Sequence, residues 1–113
     1  MKDPDLNVQD FVCGTPTYMC PLAIKKLEHD KFKADVWALG VIGFKLATGM
    51  FPFRATKESE LQSKILKGDF TFPGSLKISQ GVKELIGSML EVRESQRIDL
   101  SSVIDQGLLD NLN

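Results

Sequence analysis

The chain has 113 residues, 42% of them hydrophobic and 26% charged, with a formal net charge of −1. That length holds one domain with one core, and the balance is that of a globular chain rather than a disordered one. The near-neutral charge excludes the basic surface that holds nucleic acid or anionic lipid, and the polar start MKDPDLNVQ is not a signal segment.

Residues 1–9 are polar, contain Pro4 and lack periodicity, which predicts a loose arm. DFVCGTPTYMCP, residues 10–21, carries Gly14, Pro16 and Pro21, so it reads as an irregular loop. Phe11, Val12, Tyr18 and Met19 give that loop something to pack with. Its two cysteines, Cys13 and Cys20, could bridge, but without a secretory signal they read as reduced thiols. The lone His29 and the lack of a second cysteine pair argue against zinc. A short helix over 22–28 follows, with Pro21 at its first turn, then a link over 29–32.

KADVWALGVIGFKLAT, residues 33–48, is apolar at nearly every position. It predicts a central helix buried on most sides, too short and too interrupted for a membrane span. Gly40 and Gly43 cost helix propensity but allow close backbone approach, and Gly49 suits the C′ position. MFPFRA then forms an apolar turn. Residues 56–67 predict a helix with Leu61, Ile65 and Leu66 inward, stopped by Gly68. GDFTFPG reads as an extended loop tucking in Phe70 and Phe72. Ser79 caps a helix to about Glu91 whose inner face is Val82, Leu85, Ile86, Met89 and Leu90. After a polar connection over 93–97, Asp99 caps a last helix with Val103, Ile104, Leu108, Leu109 and Leu112 apolar. The expected fold is all-α: five helices and no strand.

CGTPTYMCPL, residues 13–22, resembles the end of the activation segment of eukaryotic protein kinases, a Gly-Thr-x-x-Tyr run leading to Ala-Pro-Glu. DVWALGVIGFKLATGMFPF, residues 35–53, resembles the family's buried helix F and the loop after it. ILKGDFTFP, VKELIGSMLE and SQRIDLSSVI fall in the order of its helices G, H and I. Thr15 and Pro16 look like the serine/threonine branch, and within it the chain looks most like the calcium/calmodulin-dependent, checkpoint and polo-like groups. The resemblance implies a partial kinase large lobe around helix F. Residues 1–12 would be a loose arm from the activation segment, and residues 13–113 the lower part of the C-terminal lobe.

Phosphoryl transfer in this family needs a Gly-rich loop, a strand Lys paired to a Glu, a catalytic-loop Asp and Asn, and a metal-binding Asp-Phe-Gly. None is present: Asp10-Phe11 is followed by Val12, and no His-Arg-Asp precedes it. The resemblance therefore implies no catalytic, cofactor or metal residues in this chain, with ATP and Mg belonging to the complete family member. It implies a substrate-facing loop at Gly14, Thr15, Pro16 and Tyr18, although Thr15 also reads as a turn residue and Tyr18 as a packing residue. Asp35 would be the anchor of the catalytic-loop backbone, or a plain charge at a helix start. Trp37 reads as core. Arg97 resembles the Arg that pairs with the Glu of Ala-Pro-Glu, but here Leu22 stands at the Glu and Cys20 at the Ala. Leu22 is then expected on apolar surface near the last helices, and Arg97 in solvent or beside another acid.

Two functions follow. One is a fragment of a serine/threonine protein kinase, cytoplasmic, whose complete form phosphorylates protein Ser or Thr and which alone is inactive. The other is a free-standing, non-catalytic module binding a protein through the activation-segment and helix G surface. Neither involves nucleic acid or membrane. In the family, segments earlier in sequence cover part of helix F, so Val36, Leu39, Ile42 and Leu46 are expected to be partly bare and to favour self-association or a partner.

Overall fold

The computed structural model describes residues 18–105. Its elements are α1 (Pro21–Ile24), α2 (Lys31–Thr48), α3 (Glu58–Lys67), α4 (Gln80–Met89), a single 3-10 turn (Glu94–Gln96) and α5 (Leu100–Asp105). The described part is all-α and no strand occurs among those residues. Two helices pack on α2, α4 along it and α5 more lightly, while α1 leans on α3.

α2 starts two residues before the expected point. The Asp30 carboxylate accepts the N–H groups of Phe32 (2.8 Å) and Lys33 (3.2 Å), so Lys31 and Phe32 belong to the helix rather than to a link. The helix ends where the sequence predicts. Gly49 takes a left-handed φ of 82°, which costs a residue without Cβ nothing, and its N–H reaches the Lys45 carbonyl at 2.7 Å. α3 stops in the same way at Gly68 but starts at Glu58, two residues later than expected, without a side-chain cap. α4 is capped as predicted, Ser79 Oγ accepting the Val82 N–H at 3.1 Å.

The core is the α2–α4 contact. Val36, Trp37, Val41 and Phe44 of α2 meet Leu85, Ile86, Met89 and Leu90, all buried. Each such side chain contributes about 1.5–3 kcal/mol on leaving water. Gly40 makes the crossing close: a Cβ there would sit 2.9 Å from both Leu90 Cδ2 and Met89 Cβ. Aromatic rings extend the core past the end of α2. Phe44 stacks on Phe72 (4.9 Å between centroids) and meets Phe70 edge-on (5.8 Å), while Phe53 meets Phe70 (5.7 Å). The irregular segment over 69–73 is thus held by its side chains, as the sequence suggests.

α2 is buried on most sides, as expected, and one stripe is open: Phe32, Ile42 and Leu46 are 72%, 43% and 69% exposed. They lie on the side away from α4, where no described element packs. Of the four residues expected to be partly bare, Val36 is fully buried and Leu39 half-buried, leaving Ile42 and Leu46. In α5, Val103 is buried and Ile104 is 68% exposed, with no described element over it. Leu108, Leu109 and Leu112 lie outside the described residues.

Candidate functional site

Gly14, Thr15 and Pro16 of the predicted substrate-facing loop lie outside the described residues. Tyr18, its fourth member, is 39% exposed and meets the Phe51 ring edge-on at 5.8 Å. Lys45 of α2 places its ammonium 4.5 Å from the centre of that same ring. Phe51 is therefore a post between the end of the loop and α2, with aromatic contact on one side and a cation–π contact of about 0.5–1 kcal/mol on the other.

Asp35 is exposed and sits in the second turn of α2, because the helix begins earlier than expected. Among the described residues no donor reaches its carboxylate, and the reading of a charge at the helix start does not hold. Leu22 is half-buried, and its helix α1 lies against α3.

Arg97 is the largest departure from expectation. It neither faces solvent nor finds an acid: it is 2% exposed, and its partners are main-chain carbonyls. Nε donates to Glu91 O (2.8 Å), Nη1 to Lys33 O (2.9 Å) and Nη2 to Val92 O (3.3 Å). The Lys33 ammonium in turn donates to the Arg97 carbonyl. A planar guanidinium with five fixed donors can collect carbonyls from the first turn of α2 and from the α4–α5 connection at once, which an ammonium cannot. Burial pushes its pKa below the usual arginine value, while the neighbouring Cys20 and Glu94 oppose that shift. Cys20 itself is a free, buried thiol.

The Arg97 guanidinium lies 5.1 Å over Trp37, whose other neighbour, Phe53, is stacked parallel at 5.7 Å and 5°. Trp37 is core, as expected, and fully buried. Its Nε1–H is buried without an acceptor among the described residues, a cost of about 1–3 kcal/mol. Cys20, Arg97, Trp37 and Phe53 form a scaffold column rather than a reacting centre. Glu94 adds a strut, accepting the Asp30 N–H at 2.8 Å.

No group of three or more His, Cys, Asp or Glu converges among the described residues. Nor, among them, is any helix long and apolar enough to cross a membrane. One cluster escapes sequence reading altogether. A cleft of about 390 Å³ is lined by Pro52, Arg54, Lys64, Asp69, Phe70 and Thr71. Its members come from the loop after α2, the last turn of α3 and the segment after α3, so no local spacing announces it.

A family model described as "Protein kinase domain" matches residues 3–109. The chain is similar to the probable serine/threonine-protein kinase KCC4 of Saccharomyces cerevisiae, 36% identical over 93% of this chain and 10% of that protein. It is also similar to CBL-interacting serine/threonine-protein kinase 15 of Arabidopsis thaliana, 39% identical over 81% of this chain and 21% of the relative. An Aurora kinase of Candida glabrata is 37% identical over 89% of this chain and 27% of its own length. The chain thus spans between a tenth and about a quarter of these relatives.

Proposed function

The chain belongs to the protein kinase family, and from that premise we propose that it serves as the substrate-side floor of a serine/threonine kinase. In the complete protein, ATP with Mg would supply the phosphoryl group for a protein Ser or Thr. Residues of this chain would hold the protein acceptor near that chemistry rather than perform it. The observation that carries this reading is a pairing of presence and absence. Family likeness runs through nearly the whole chain, yet no His-Arg-Asp run occurs and neither Asp-Phe dipeptide, Asp10-Phe11 or Asp69-Phe70, is followed by Gly.

In this role the column of Arg97, Trp37 and Phe53 fixes α2, and α2 with Phe51 carries the loop that ends at Tyr18. The loop is then positioned by a rigid support, which is what orienting an acceptor demands. Exposed Ile42 and Leu46 form the start of an apolar face suited to protein contact, including a second copy of the chain. The test is calorimetric titration of Mg-ATP into the 113-residue chain, with a phosphoryl-transfer assay on a Ser/Thr peptide. The expected outcome is no saturable nucleotide binding and no transfer. Micromolar nucleotide binding would overturn the assignment of this chain to the substrate side.

A further inference from the structure

We infer that the cleft between the α2–α3 loop and the segment after α3 binds an extended peptide through a carboxylate side chain, bridged by Arg54 and Lys64. The inference goes beyond phosphoryl transfer and does not depend on it.

The walls of this cleft are anchored. Pro52 is buried, and Phe70 is wedged between Phe44 and Phe53. Both cationic residues line the cleft, and Lys64 Nζ donates to the Arg54 carbonyl at 2.7 Å. Both retain donor capacity. Among the described residues no carboxylate lies within ion-pair distance of Arg54, whose Nη1 has only the weakly accepting Met50 sulfur at 3.3 Å. The one acid near Lys64, Glu60, is at 4.0 Å across exposed surface. A carboxylate set between them would take charge-assisted hydrogen bonds from both.

Two further features define the ligand. Asp69 lines the same cleft, and among the described residues no cation or N–H reaches its carboxylate. It repels a doubly charged phosphoryl group more than a single carboxylate and attracts a basic residue close to the acid. The backbone N–H of Thr71, which lines the cleft, meets no backbone carbonyl among the described residues, so the wall also offers a main-chain partner. A free small anion would use none of that wall. A peptide with an acidic and a basic residue uses all of it, and the volume lies within the range of clefts that hold small ligands.

The experiment is fluorescence anisotropy with the 113-residue chain and a short labelled peptide carrying one Glu and one Lys in an alanine background. Parallel peptides carry Gln or phosphoserine in place of Glu. Saturable binding that loosens with added salt is expected. Arg54→Gln is expected to weaken it by about fivefold, and the Gln peptide to lose a similar factor that Arg54→Gln does not deepen. Arg54 is exposed, so its substitution leaves the thermal melt in place; Lys64→Gln, which loses a structural hydrogen bond, is read only beside its own melt. Equal binding of the Glu and Gln peptides, no saturable binding of either, or indifference to Arg54→Gln would overturn the inference. A phosphoserine peptide that binds more tightly than the Glu peptide would overturn the choice of carboxylate. None of these outcomes bears on nucleotide binding, so the kinase reading stands or falls separately.

Discussion

Replacing Arg97 with methionine keeps the length and apolar stem of the side chain and removes its five donors. Lys33 O and Glu91 O lose partners at 2.9 and 2.8 Å, and Val92 O a longer one at 3.3 Å. Loss of these charge-assisted hydrogen bonds to part-buried carbonyls costs about 1.5–3 kcal/mol each. Loss of the guanidinium over Trp37 adds about 1 kcal/mol. Against this, the folded state no longer desolvates a cation, a relief of up to several kcal/mol. The balance is a net destabilisation of about 2–4 kcal/mol, a large share of the roughly 5–15 kcal/mol of a typical domain. Arg97→Lys keeps the charge, but its single nitrogen cannot span carbonyls on both sides, and it is expected to lose about 1–2 kcal/mol. Urea unfolding reads both variants through Trp37, the only tryptophan, with the slope m expected to stay constant. A methionine variant as stable as the parent would show that desolvation cancels the carbonyl bonds and that the column does not hold α2.

The two glycines of α2 are expected to respond in opposite directions to alanine. At Gly40 the new Cβ meets Met89 Cβ, which cannot swing aside, and the cost is about 1–3 kcal/mol. At Gly43 the nearest atom is 3.6 Å away, an ordinary contact, so the helix gains about 0.5–1 kcal/mol. Thermal melts giving the reverse order would contradict the described α2–α4 crossing. Asp99 has its pKa lowered from 3.8 by hydrogen bonds from the Ser102 N–H and then the Ser101 hydroxyl. A carboxyl lowered on folding adds stability above its unfolded pKa and loses it as pH falls through the folded value. Stability should therefore drop below about pH 4, and Asp99→Asn should flatten that limb of the pH profile; an unchanged limb would rule out the cap as its source.

Local chemistry was the legible part of this fold. Ser79 and the inward face of α4, and the stops at Gly49 and Gly68, depend on neighbours in sequence and could be read from them. The start of α2 was misplaced because Phe32 is apolar yet exposed, so it breaks the stripe while Asp30 caps the helix before it. Ile104 differs for the opposite reason: it fits the apolar pattern, but no described element covers its side of α5. Arg97 shows the limit most clearly. Loss of the matching Glu at Leu22 was visible, but its replacement by carbonyls from Lys33, Glu91 and Val92 depends on two distant segments meeting. The Arg54–Lys64 cleft was hidden in the same way. Of the candidate site, Trp37 lay where the sequence placed it, whereas Asp35 and Arg97 had residue types that were readable and surroundings that were not.

The aromatic segment over 69–73 separates two kinds of order that usually travel together. Its rings are locked into the core by Phe44 and Phe53, yet the amides of Thr71 and Phe72 have no backbone acceptor among the described residues. Solvent protons can therefore reach this main chain without any unfolding, while ring flips of Phe70 and Phe72 require the surrounding core to open. Amide exchange would report a loose strap, and ring dynamics a fixed one. Both would be right, because the strap is fastened by its side chains alone.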